Sequence, residues 1–313
     1  MKIILTTALL FLFLFSLPLA AGNGFALPVS NIFFQPSGGD FLLQLDMLNY
    51  KEEGQKVNFP QQMISGSPVP VEANIDIQAK SFFADAALRY ALTDRFILGF
   101  TGKYMYDYSH NQTSSSTFAA ATSTSKSGTG FYDPGFFALA RFAGTEREDR
   151  FLDLELSYAP GMSNPENKGY IVPNNAMGVR LAIGKNLWDF TYGVVFVGRY
   201  WQRAAEDLND ALNERVLAGF AAFAQWDFDD FFIRFSAGGY RNVDAASANS
   251  ALRRQVTPNS SLRLGFPVSE DTVLSTQIEY AFSVSAPYQQ NGLNGTFTNG
   301  PQITVAGSLT TRF

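Results

Sequence analysis

Any chemistry in this chain has to be done without cysteine and with a single histidine, His110, among 313 residues. Without cysteine there is neither a disulfide framework nor a thiolate metal site. One histidine cannot assemble the usual zinc or iron sites, nor most imidazole catalysis. His110 stands beside Asn111 and a Ser/Thr-rich run from Thr113 to Ser127. A His–Ser hydrolase acting on lipid would need both groups on one strand face at a membrane rim, which makes it the remote alternative. The cluster Glu206-Asp207, Asp210 and Glu214 reads as a solvated loop rather than a Ca²⁺ site. Asp227-Phe228-Asp229-Asp230 lacks the length and glycine of an EF-hand loop and suits a tight turn. No phosphate-binding glycine loop occurs. No catalytic residue, metal or cofactor is expected.

What remains is a set of isolated charges embedded in apolar, alternating segments. Charged residues make up only 16% of the chain, aromatics 15% with 30 Phe, and the formal net charge is −5. So much apolar and aromatic surface excludes a disordered chain. The acidic balance, unbroken by any basic block, argues against nucleic acid as a partner.

The elements that position these charges follow from hydropathy. Met1-Lys2, the apolar run Ile3 to Ala21 broken by Pro18, and the small residues Ala20, Ala21, Gly22 and Gly24 have the layout of a cleaved signal peptide. Residues 1–21 are assigned to it, with cleavage as late as 26 left open. Beyond Ala21 no stretch reaches the roughly 18 apolar residues of a spanning helix, so a membrane protein must be a closed barrel. The rest reads with period two. Twelve segments emerge: 41–50, 74–92, 96–108, 131–143, 150–160, 176–185, 187–201, 214–226, 231–242, 255–266, 272–287 and 301–313. In 74–92 the parity flips beyond Phe82-Phe83, which predicts a β-bulge there. Segments 131–143 and 214–226 alternate poorly, so ten or fourteen strands stay open.

Connections alternate in length. Short ones are Thr93-Asp94-Arg95, 144–149, Lys185-Asn186, Asp227 to Asp230 and Ser269-Glu270-Asp271; long ones are 51–73, 109–130, 161–175, 202–213, 243–254 and 288–300. Short periplasmic turns, long external loops and an even strand count are the pattern of an all-β, antiparallel up-and-down transmembrane β-barrel spanning 41–313. The faces opposite the apolar stripes carry Gly, Ala, Ser, Thr and spaced charges instead of the dense Lys and Glu of a soluble sandwich. Tyr50, Tyr90, Tyr108, Tyr158, Trp188, Tyr200, Trp226 and Tyr240 lie near strand ends, as aromatic girdles require.

Alternation then sorts the charges. Basic candidates for the lumen include Lys80, Arg89, Lys103, Arg141, Arg180, Arg199, Arg234 and Arg263; acidic ones include Asp76, Asp107, Asp153, Glu155 and Glu279. Near balance implies no strong ion selectivity. Either these charges pair across strands and brace a narrow interior, or some form a constriction that contacts solute. Arg180, Arg199, Arg234 and Arg263, on different strands at mid-height, are the candidates for it, with Lys103, Asp153, Glu155 and Glu279. Residues 22–40, with Ile32-Phe33-Phe34, form either a flexible periplasmic leader or a short inward-folding plug.

The last strand, Ile303 to Phe313, ends on an aromatic residue. It resembles the C-terminal signal by which bacterial outer-membrane proteins are handed to the barrel-assembly machinery, which implies Phe313 as the residue read. Arg89-Tyr90-Ala91-Leu92-Thr93-Asp94-Arg95-Phe96-Ile97-Leu98-Gly99 resembles the "RYGLTDRLELG" strand-turn-strand of the meta-pathway phenol-degradation family of outer-membrane transporters. Tyr132-Asp133-Pro134-Gly135 through Arg141-Phe142, and 151–158 followed by Ala159-Pro160-Gly161, are similar to further segments of that family, about 70 residues in all. The resemblance departs where a threonine is missing and where Pro134 interrupts the second motif. It implies an outer-membrane location and uptake of small hydrophobic or aromatic solutes. The expectation is a passive channel in outer-membrane lipid; the alternative is a non-conducting barrel with a structural or loop-binding role.

Overall fold

In the computed structural model, residues 29–59, 62–64, 67–69, 73–116, 119–143, 149–161, 175–202, 215–244, 256–290 and 293–313 are described. The expected signal peptide, the acidic 206–214 cluster and most of three long connections lie outside them. The first strands are β1 (Phe41–Phe59), β2 (Gln62–Ile64), β3 (Ser67–Val69), β4 (Ala73–Thr93), β5 (Phe96–Ser116), β6 (Ala119–Ala143) and β7 (Arg150–Ala159). They continue as β8 (Ala176–Leu187), β9 (Phe190–Trp201), β10 (Arg215–Asp227), β11 (Phe232–Asp244), β12 (Thr257–Ser269), β13 (Thr272–Ala281), β14 (Val284–Gln290) and β15 (Leu293–Arg312). Leaving aside β14 and the small β2–β3 hairpin, the other twelve pair antiparallel in sequence order, and β15 returns to β1.

The ring is sealed at its tight-turn end by the first and last residues of the sheet. Phe41 N donates to Phe313 O at 2.8 Å, Phe313 N donates to Phe41 O at 3.0 Å, and their rings stack at 5.9 Å. Closure leaves no edge among these twelve strands, the condition for a sheet to sit in hydrocarbon.

Alternation places the large apolar residues outside. Leu156 is 56% exposed and Ile278 53%, while inward Asp153 is 4% and Ser275 9%. Aromatic contacts mark both borders of the outer band: Tyr50–Phe82 at 4.9 Å and Phe82–Tyr106 at 5.9 Å above, Phe41–Tyr90 at 4.7 Å and Phe190–Trp226 at 4.9 Å below. Tyr240, expected in a girdle, instead shares the lumen face of β11 with Arg234 and donates its hydroxyl to Gln302 at 3.2 Å.

A register shift does fall at Phe82-Phe83, as expected, but β4 does not carry the extra residue. The extra residues sit on its two neighbours, between Met47 and Tyr50 of β1 and at Tyr106 of β5. β4 itself continues without a slip, so Asp76, Gln78 and Lys80 extend the same outer face as Phe82 and Leu88. The polarity change marks where the strand leaves the membrane. Lys80 pairs there with Glu52 at 3.3 Å and Lys56 with Asp76 at 3.5 Å. Asp107, registered opposite Phe82, is on this outer face too, so Asp76, Lys80 and Asp107 are not lumen charges.

Three further expectations change. The Lys185-Asn186 turn lies later, at Trp188-Asp189, with Trp188 at φ 61°. Much of 51–73 and 109–130 is strand: β1, β4, β5 and β6 run 19 to 25 residues. The 288–300 connection is a hairpin of β14 with the start of β15. Above the membrane both faces of a strand meet water, so Ser, Thr and Asn suit either face and the apolar stripe disappears.

Arginine placed at Leu156, on the lipid face of β7, is expected to cost about 2–4 kcal/mol, whereas arginine at its lumen-facing neighbour Ser157 stays within about 0.5 kcal/mol. Equilibrium urea unfolding from lipid vesicles measures both; equal costs would reverse the assignment of the two faces.

Candidate functional site

The lumen at the tight-turn end is occupied by residues 29–36. Asn31 starts this turn: its side-chain oxygen accepts from Phe33 N at 2.9 Å, and Phe34 N donates to Asn31 O at 3.0 Å. The turn drives Phe33 into the wall, where it is 1% exposed, stacked on Phe151 at 4.8 Å and tilted to Phe223 at 5.7 Å. A Cβ at Gly184 would collide with the Phe33 ring, so β8 needs glycine at that position. Burying this ring contributes about 1.5–3 kcal/mol.

Polar groups of the wall hold the segment by its backbone and its amides. Arg141 donates Nε and Nη2 to the two Asp153 carboxylate oxygens at 2.7 and 2.8 Å, and Nη2 also to Phe33 O at 2.6 Å. Gln35 Nε2 donates to the same carboxylate at 3.1 Å. Arg141 and Asp153 are direct cross-strand partners on β6 and β7, 8% and 4% exposed. Across the lumen, Ser30 O accepts from Arg234 Nη2 at 2.9 Å and from Gln225 Nε2 at 3.2 Å. Asn31 Nδ2 donates to Thr191 at 2.7 Å.

Above the segment lies a cavity of about 320 Å³. Arg89, Arg180, Arg234 and Arg263 line it together with Asp153 and Glu155, and the apolar Val29, Phe34, Leu42, Leu139, Phe232 and Val273 line it as well. Five of the eight proposed lumen residues are therefore brought together: Arg180, Arg234, Arg263, Asp153 and Glu155. Arg199 stands apart, exposed towards the far end of β9 with its guanidinium 4.9 Å from the Trp201 ring. Lys103 pairs with Asp85 at 3.4 Å and lies 4.3 Å from the Phe83 ring. Glu279 accepts from Asn259 at 3.0 Å. Strand tilt and stagger put these three at other heights, which a one-dimensional pattern does not encode.

Gln225 and Thr191, both 0% exposed, are central to the anchor, although parity puts them only on the polar faces of their segments and not among the site candidates. Their signal was polarity at inward positions close to a tight turn. Of His110, its backbone pairs with Ala79 and Lys126 on the extended part of β5; its side chain lies outside the described set. Among the described residues no group of three acidic or histidine side chains could hold a metal.

No family model matches the sequence, and no curated protein matches it either. Solved structures do share its fold. An outer-membrane channel from Pseudomonas putida F1 aligns over 95% of this chain and 100% of its own, with TM-score 0.54 and 14% identity. A FadL homologue from Pseudomonas aeruginosa aligns over 93% and 96%, with TM-score 0.50 and 13% identity. The fold is that of outer-membrane β-barrels.

Removing one partner of the buried Arg141–Asp153 pair, as in Arg141→Met, is expected to cost about 3–5 kcal/mol by stranding the other charge. The double variant Arg141→Met/Asp153→Leu should recover most of that loss. A double-mutant cycle by equilibrium unfolding checks it, and additive losses would show that the two do not act as a pair.

Proposed function

We propose that this chain is a passive channel of the bacterial outer membrane for small hydrophobic or aromatic solutes. The carrying observation is the cavity of about 320 Å³ in the barrel lumen, lined by arginines and apolar side chains together. A closed ring with its greasy side chains outside belongs in lipid, and only an outer membrane hosts such barrels in bacteria. The similar structures from two Pseudomonas species are a channel and a FadL homologue, which supports the same reading. So does the resemblance of 89–99 to the phenol-degradation transporter family. In this reading the tight-turn end faces the periplasm, Phe313 presents the chain to the barrel-assembly machinery, and residues 29–36 close the periplasmic mouth.

One observation favours the alternative of a non-conducting barrel: Phe33 and its anchors fill the lumen at that mouth. The two readings separate on the bench. Deleting residues 29–36 is expected to raise single-channel conductance in planar bilayers several-fold over the intact protein. Stepwise current absent from both proteins, with folding verified by heat-modifiable gel mobility, would remove the channel and leave the structural role.

A further inference from the structure

Arg234 and Arg263 face each other directly across β11 and β12 on the lumen side. Like charges opposite one another in a sheet repel, and the usual remedy is a carboxylate between them. None is present. Arg234 bonds Gln225 and Ser30 O, while Arg263 donates to Ser275 and Ser308. Arg180 makes no hydrogen bond among the described residues, and Arg89 Nε is buried with no acceptor. None of the four guanidiniums is ion-paired among the described residues. Of the two carboxylates lining the cavity, Asp153 is already taken by Arg141 and Glu155 stands opposite Arg180 across β7 and β8; Asp46 and Asp227 add negative charge nearby, which leaves the four arginines in excess by one.

This arrangement differs from a braced interior, in which cations and carboxylates neutralise each other. It leaves unused N–H donors and excess positive charge around a lumen cavity that apolar side chains also line, Phe232 beside Arg234 on β11 and Leu42 opposite Arg89 across β1 and β4. A planar guanidinium matches a carboxylate through paired hydrogen bonds, each stronger than a neutral one. The cavity volume is at the low end of the roughly 300–1,000 Å³ usual for small-molecule sites. We propose that the cavity is a binding site for small amphipathic carboxylates, with the carboxylate at the Arg234–Arg263 pair, Arg180 and Arg89 completing the charge, and an aromatic or short aliphatic body against Phe34 and Phe232. The site deepens the channel reading and rests on it: the solutes held in transit are organic anions rather than neutral aromatics.

Equilibrium binding to the purified, detergent-solubilised barrel tests this independently of conduction. Sodium benzoate, benzyl alcohol and sodium acetate are titrated and followed by ligand-observed NMR and calorimetry. Benzoate is expected to bind at least about tenfold more tightly than either benzyl alcohol, which lacks the charge, or acetate, which lacks the body. Arg234→Gln/Arg263→Gln should weaken benzoate by about tenfold or more and leave benzyl alcohol unchanged. Because Arg234 also holds Ser30, Arg180→Gln serves as the second variant: it removes charge without removing a described hydrogen bond, and should weaken benzoate several-fold. Benzyl alcohol or acetate binding as well as benzoate, or benzoate binding unchanged in both variants, overturns the site. A barrel that binds benzoate but carries no current keeps the site and loses the channel. One that conducts without preferring benzoate does the reverse.

Discussion

Everything in this molecule depends on the requirement that backbone amides within a bilayer find their partners inside the protein. A sheet meets it only by closing, and here the seam is the pairing of β1 with β15, sealed at one end by residues 41 and 313, whose main chains exchange two hydrogen bonds. Closure in turn fixes what each side chain can do. Every second residue is committed to lipid and the rest to a space bounded on all sides, so the core of a soluble protein has no counterpart. Apolar residues go outside because the solvent there is hydrocarbon, and polar groups can be buried inside only where partners exist.

The interior meets that second demand with a length of its own chain. Residues 29–36 bring main-chain carbonyls and amide side chains into the lumen, and the wall supplies Arg141, Gln225, Thr191 and Arg234 to match them. Phe33 supplies the apolar contact that the lumen otherwise lacks at this level. The inner face of β8 carries Ala182 and Gly184 here, small enough to receive the ring, while Phe151 and Phe223 flank it.

This socket also explains where the hydropathy pattern was readable and where it was not. Strands with lipid on one side and water-filled or polar space on the other alternate clearly, as 152–158 and 274–280 do. The pattern blurs in β6 and β10 because their inward positions are apolar as well: Leu139 is 3% exposed against Ala91 and Ile97, and Phe223 is 5% exposed against Phe33. A strand that meets hydrocarbon on one face and a packed segment on the other has no reason to alternate. The polarity flip in β4 misled in another way. One period-two stripe changed character on leaving the membrane, and sequence alone cannot tell that from a one-residue slip. Of the site, the face of each charge was legible for Arg180, Arg234, Arg263, Asp153 and Glu155, because facing follows from parity. Their gathering around one cavity was not, because height in a barrel depends on tilt and stagger between strands.

The two ways this barrel holds its buried arginines have opposite electrostatic consequences. Arg141 is neutralised by a bidentate carboxylate on the adjacent strand, so the anchor beneath the cavity contributes little field. Arg234 and Arg263 are fixed by a glutamine, a main-chain carbonyl and two serines, acceptors that orient a guanidinium and leave its charge intact. Hydrogen bonds to a charged group contribute about 1.5–3 kcal/mol each, which offsets part of the desolvation without cancelling the charge. A pair braced only for stability would place a carboxylate at one of these registers; serine and glutamine there keep positive potential where the lumen remains open. The same bonds hold the side chains in one orientation, so a solute meets donors already ordered and little conformational entropy remains to be lost on contact.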